Sequence, residues 1–222
     1  MMTGPLKQIL DWSEVWALFI PLIVLYFRPA KQKLYQPIII YLWVALFLNI
    51  TSNIIWKYNV KLEFPVWLQS NLFIYNAHSV FRFLLFSWFF SKLNEQFLPL
   101  LRKAIPIAFI IFVIINFCWL ESFTVFSSRL FALESAILLY YCLQYFLFLF
   151  NQDQPAAFKK MPVFWIVTGL SIYVAINFFI FLFYKTLSKQ FEDFAIDIWY
   201  LHNISYIILC IFLAKAFYES DQ

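Results

Sequence analysis

Few side chains in this sequence are equipped for chemistry, and those few sit inside long apolar stretches. They are Glu14, Asn49, Ser52, Asn53, Asn76, His78, Arg82, Glu134, Asn177, His202 and Asn203. A charge flanked on both sides by apolar residues costs stability unless it is paired or hydrated, and by default it marks a functional position. Arg82 and Glu134 are therefore the two most informative residues. His78, His202 and Glu134 would supply three donors to Zn²⁺ with a fourth position open to water. Against a metal stand the presence of only two histidines, the lack of any HExxH or HxxxH pair, and Arg82 one turn from His78, where it would repel a cation. No metal and no cofactor are expected, with His78, His202 and Glu134 as the alternative metal set. A hydrogen-bonded neutral histidine, or one that titrates near neutral pH as a sensor, fits the residues better.

Nucleophile and phosphate-binding motifs are missing. There is no GxSxG serine and no glycine-rich phosphate loop, since Gly4 and Gly169 are the only glycines. No catalytic residue is assigned. A His-Glu centre acting on lipid is kept as one enzyme alternative.

The elements that must position these residues follow from composition. Of the 222 residues 64% are hydrophobic, 23% aromatic and 13% charged, whereas soluble domains are about a quarter charged. Doubly wound nucleotide-binding domains, zinc fingers and nucleic-acid readers are excluded, and no nucleic-acid partner is expected. At about 20 apolar residues per crossing, the chain accommodates roughly seven or eight spans with no separate soluble domain. A window of about 19 residues places seven, at about 12–27, 35–56, 69–90, 104–120, 127–150, 162–184 and 196–217. Asp11 and Ser13, and Ser127 and Ser128, are candidate helix caps, and Pro37, Pro106 and Pro162 lie near helix starts. Pro21 falls in mid-span and should kink the first helix. The fold expected is all-α, a polytopic seven-transmembrane-helix bundle forming one domain over 1–222.

Basic residues orient it. Arg28, Lys31, Lys33, Lys92, Arg102, Lys103, Lys159, Lys160 and Lys215 fall on one side, and Lys7, Lys57, Lys61, Lys185 and Lys189 on the other. Nine against five places the N-terminus outside and the C-terminus inside. Asp11, Glu121, Glu192, Asp193 and Asp197 share the outer side, and Trp12, Trp16, Trp56, Trp67, Trp119 and Trp199 would form most of an outer aromatic belt. The opening MMTGPLKQILDW reads as no removable signal peptide. Cys118, Cys142 and Cys210 lie in apolar spans and read as buried thiols without a structural disulfide.

Counting inward from the outer ends, Asn49, His78, Glu134, Asn177 and His202 lie about 9–12 Å below the interface and Arg82 about 18 Å. His78 and Arg82 share a helix face, as do Asn49 and Asn53. The expectation is a polar cavity open to the outer side, lined by His78, Arg82, Glu134, His202, Asn49, Asn53, Asn177 and Glu14, and binding a small molecule or lipid. The plainer alternative has Arg82 and Glu134 satisfying one another while the asparagines join helices.

Seven spans with an outer N-terminus invite comparison with retinal proteins, but the only lysine of the last span, Lys215, falls at its inner end, so no mid-membrane Schiff base is expected. A small-solute transporter is the main alternative. Glu14, Asn49 and His78 in the first three spans echo Glu134, Asn177 and His202 in the last three, as in a three-plus-one-plus-three parallel repeat. Scarce glycine argues against broken, gating helices.

The stretches Pro162–Phe183 (PVFWIVTGLSIYVAINFFIFLF) and Arg129–Phe150 (RLFALESAILLYYCLQYFLFLF) resemble uncharacterised seven-helix membrane proteins common in Bacteroidota, some encoded beside sensor histidine kinases or response regulators. The shared phrases are Phe164-Trp165-Ile166 with Gly169 and Tyr173, and Leu133-Glu134-Ser135. The resemblance implies a ligand-binding or signal-sensing component of the bacterial inner membrane without its own output domain. Its partners would be membrane lipid and a separate signalling protein at the inner face, where Arg28, Lys31, Lys33, Lys92, Arg102, Lys103, Lys159 and Lys160 gather.

Overall fold

A computed structural model describes residues 4–58, 65, 70–93, 101–151, 158, 160–190 and 192–220. Lys61, Trp67 and Lys159 lie outside the described residues, as do the side chains of Arg102, Lys189, Glu192 and Asp193. The regular elements are helices throughout: α1 (Pro5–Asp11), α2 (Ser13–Phe27), a short 3₁₀ turn (Lys33–Tyr35), α3 (Gln36–Tyr58), α4 (Leu72–Leu93), α5 (Leu101–Ile115), α6 (Ser128–Phe150), α7 (Pro162–Gln190) and α8 (Glu192–Glu219). A π turn, Asn116–Leu120, extends α5.

Each apolar run found in the sequence becomes a helix. Among the described residues, five segments are long and apolar enough to cross a membrane: Lys33–Tyr58, Lys103–Leu120, Ser128–Phe150, Pro162–Ser188 and Asp197–Glu219. The other two expected spans differ for separate reasons. α2 is apolar but has 15 residues, about 22 Å of helix against a hydrocarbon core of about 30 Å. α4 has 22 residues, but Asn76, His78, Ser79, Arg82 and Ser87 dilute its apolar character, and all five are buried. Large apolar side chains on the long helices remain exposed, including Trp43, Phe47, Ile107, Phe179 and Leu182. Water is a poor partner for such surfaces, and lipid a good one.

Local signals act mostly as their chemistry dictates. Ser127 caps α6, its hydroxyl accepting from the Leu130 N–H at 3.3 Å. Pro37 and Pro162 occupy the first two positions of α3 and α7, where a missing N–H has no partner to lose. Two expectations are corrected. Asp11 and Ser13 do not cap α2, whose N-cap is Trp12 without a side-chain hydrogen bond, because Asp11 ends the extra helix α1 and the Ser13 hydroxyl donates back to the Leu10 carbonyl at 2.7 Å. Pro106 lies inside α5, since that helix starts at Leu101.

The chain divides into two compact units. One comprises Met1–Lys33 with Ser135–Gln222, and the other Leu34–Glu134. In the first, α8 packs along both α7 and α2, around Leu18, Leu170, Tyr173, Tyr206, Leu213 and Phe217. Gly169 lets α7 approach α8: a Cβ there would lie 2.4 Å from Phe212 Cβ. In the second unit, α3 packs on α4 around Ile38, Tyr41, Leu42, Phe83 and Phe86. Phe83 and Phe109 stack with ring centroids 3.8 Å apart, joining α4 to α5.

Candidate functional site

The eleven polar residues singled out from the sequence are all buried. They fall into two groups, one in each unit.

In the second unit, Arg82 and Glu134 form a direct, two-pronged ion pair. Arg82 Nε donates to Glu134 Oε1 at 2.5 Å and Nη2 donates to Oε2 at 2.7 Å. The Ser79 hydroxyl also donates to Oε2, and the guanidinium lies 5.7 Å from the Phe131 ring centre. Glu134 is wholly buried and Arg82 only 3% exposed. Parallel fork geometry is the strongest arrangement open to a carboxylate and a guanidinium, so each charge is answered by the other. The counted depths separated these residues by several ångströms. Side chains on a helix lean toward its N-terminus, which carries the long Arg82 stem back up α4 to the level of Ser79.

The remaining residues of this group are engaged locally. His78 stacks on Tyr41 with centroids 6.1 Å apart and planes 21° from parallel. Asn53 donates to the Asn49 carbonyl at 3.1 Å. Asn71 reaches Ser52 Oγ at 2.9 Å. Asn76 clamps the segment before α6: its Nδ2 donates to the carbonyls of Phe123 and Val125, each at 2.8 Å, and its Oδ1 accepts from the Ser127 N–H at 3.1 Å. Ser127 in turn donates to Glu121 Oε2 at 2.6 Å and accepts from Asn116 Nδ2 at 3.0 Å.

In the first unit a polar chain joins three helices. Asn177 on α7 donates through Nδ2 to the Tyr173 carbonyl at 2.7 Å and to Ser205 Oγ at 3.0 Å. Its Oδ1 meets His202 Nδ1. The other ring nitrogen, Nε2, lies 3.1 Å from Glu14 Oε1 in the first turn of α2. The ring is walled by Trp199, Phe181 and Tyr173, at centroid distances of 5.2, 5.4 and 5.8 Å. Trp199, expected in the outer belt, is thus part of this enclosure, while Trp12, Trp56 and Trp119 are exposed. Asn203, next to His202, donates to the Leu10 carbonyl at 3.0 Å and ties α8 to α1.

Sequence reasoning missed Ser79 and Ser205 as partners. Both stand three residues from a residue it chose, Arg82 and His202, so helical spacing was the signal available. Among the described residues no group of three or more His, Cys, Asp or Glu side chains is placed to hold a metal ion. Cys118, in the π turn, is exposed rather than buried, and Cys142 and Cys210 are buried. Of the basic residues assigned to the inner face, Arg28 lies 3.9 Å from the Tyr218 ring and donates to the Tyr218 carbonyl at 3.2 Å. Lys215 pairs with Glu219, and Lys92 sits 4.4 Å over Trp88.

The chain matches no protein-family model, no curated protein and no solved structure.

Proposed function

We propose that this chain is a membrane-embedded signal-sensing or ligand-binding module with seven spans, N-terminus outside and C-terminus inside, in a bacterial inner membrane. The five long apolar helices supply most of the spans. α2 and α4 supply the other two, each turning its polar residues away from lipid into its own unit. Arg82 and Glu134 serve on this reading as a brace of the second unit, because their charges already satisfy one another.

The observation that carries the reading is the buried chain Glu14–His202–Asn177. It contains a titratable ring, it is reached from α2, α7 and α8, and each of those helices contributes one member. Whatever binds or changes charge there acts on three helices at once, which is the physical requirement for a sensor. The signal would pass to a separate protein at the inner face.

A three-plus-one-plus-three transporter would repeat Glu14, Asn49 and His78 as Glu134, Asn177 and His202. The two compact units group these residues differently: Glu14, Asn177 and His202 in one, Asn49, His78 and Glu134 in the other.

Native mass spectrometry of protein taken directly from membranes into lipid nanodiscs tests the reading. A retained non-protein mass is expected, lost in His202→Leu and kept in the lipid-facing variant Ile111→Ala. Equal retention in all three proteins, or none in any, would count against it.

A further inference from the structure

Arg28 carries a charge that the first unit fixes in place without neutralising it. α2 and α8 run side by side in the same direction, since Glu14 meets His202 near one end and Arg28 meets Tyr218 at the other. The Arg28 guanidinium sits 3.9 Å from the centre of the Tyr218 ring, and its Nη1 donates to the Tyr218 carbonyl at 3.2 Å. A guanidinium offers its N–H donors as a rigid planar fork, and the carbonyl takes one of them. Among the described residues no carboxylate lies within ion-pair reach of Arg28. Arg82 is the contrast, because Glu134 answers it on two prongs. Ring and carbonyl hold the Arg28 fork still, so its remaining N–H groups are preorganised for an anion with two acceptor oxygens.

The surroundings favour an anion as well. Lys215 lies 5.2 Å from the centre of the same Tyr218 ring and 5.7 Å from that of Trp165, which brings the start of α7 to this end of the unit. Lys31 and Lys160 are exposed where the chain leaves α2 and enters α7. Among the described residues at this end Glu219 is the one carboxylate, and it pairs with Lys215. Apolar surface leads up to the cations. α2 exposes Phe19, Ile23, Tyr26 and Phe27, which share one helix face. Tyr26 is 82% and Phe27 74% exposed, and aromatic side chains at the end of an apolar helix mark the headgroup level of a bilayer.

We propose that Arg28, seated on Tyr218 and flanked by Lys215, binds the phosphate of an anionic phospholipid whose acyl chains lie against the exposed stripe of α2. The inference goes beyond the sensing reading and needs only that α2 and α8 end at a bilayer surface. Phosphatidylcholine also carries a phosphodiester, but its headgroup adds a cation that Lys31, Lys160 and Lys215 repel. The site therefore selects a headgroup without one, such as phosphatidylglycerol.

Native mass spectrometry of the full protein, supplied with equal amounts of phosphatidylglycerol and phosphatidylcholine of the same acyl chains, tests the site. The wild type is expected to carry severalfold more phosphatidylglycerol than phosphatidylcholine. Arg28→Gln should bring the two to parity, and Arg28→Lys, which keeps the charge but not the fork, should fall between. Lys7→Gln makes the same change in charge on α1, where Lys7 is exposed at the other end of the unit, and should keep the full preference. Parity in the wild type, or an equal loss in Lys7→Gln and Arg28→Gln, would overturn the proposal. If Arg28→Gln does not fold, Tyr218→Leu decides, since it removes the ring beneath the guanidinium and leaves the charge in place. An undiminished preference in Tyr218→Leu would count against the site. Displacement of phosphatidylglycerol by millimolar inorganic phosphate would make a free anion the ligand and overturn the assignment to lipid. The preference should persist in His202→Leu, the variant that tests the sensing reading, so either reading can fail without the other.

Discussion

At the scale of single residues, burial makes each polar group depend on its partner. Glu134 accepts from Arg82 twice and from Ser79 once. Removing either charge alone strands the other, which in protein interiors costs about 3–5 kcal/mol. Arg82→Ala and Glu134→Ala are therefore each expected to lower the melting temperature sharply in lipid nanodiscs. The double variant Arg82→Met with Glu134→Leu should recover most of the loss, because no unpaired charge remains. A double variant no better than the singles would show that the pair does more than brace. Asn76 offers a second case. Asn76→Asp keeps the size but replaces a donor to two carbonyls with an acceptor, so the segment ahead of α6 should open while α4 stays helical. Faster amide exchange at Ser127 would report this, with a loss of about 0.5–1.5 kcal/mol for each hydrogen bond removed.

At the scale of elements, close approach and termination matter more than hydrophobicity. α7 and α8 pack at Gly169 because no side chain intervenes. Gly169→Ala should cost about 1–3 kcal/mol through overpacking, read as a lower unfolding midpoint. Shortening Phe212 to alanine should not rescue it, since the near atom is the Cβ that alanine keeps. Full rescue by Phe212→Ala would mean that the ring sets the limit. α1 shows how a short helix is held: its Leu10 carbonyl accepts from Ser13 and from Asn203, and the Trp16 indole donates to Ile9 at 2.8 Å. A seven-residue helix has too few internal bonds to persist alone, and these contacts anchor both its end and the start of α2, where Glu14 stands.

At the scale of the molecule, the proposed orientation has a direct check. Lys57 ends α3 and Lys92 ends α4, so α4 crosses the bilayer only if these positions lie on opposite sides. With Cys118, Cys142 and Cys210 replaced by serine, Lys57→Cys should react with a membrane-impermeant maleimide on intact cells, and Lys92→Cys only after permeabilisation. The reverse pattern would invert the topology, and labelling of both on intact cells would remove α4 from the spans. α4 is the informative helix because its buried polar residues dilute the apolar signal by which spans are recognised.

The helices and the burial of the polar residues were legible from sequence because both follow from local pattern. An apolar run long enough to be a helix must hide its backbone polarity internally, and a charge or amide within it must turn away from lipid. Glu14, Asn49, His78, Arg82, Glu134, Asn177 and His202 are buried on that ground alone. Which of them meet was a different matter. Glu14 and His202 are separated by 188 positions and Arg82 and Glu134 by 52, and no periodicity links residues on different helices. The Arg82–Glu134 contact also depended on the lean of a long side chain, which a count of helical rise omits. The tertiary structure decided the pairing, the grouping into two units and the orientation of Asn177, because those depend on which helix faces pack together and on which atoms are left to satisfy one another.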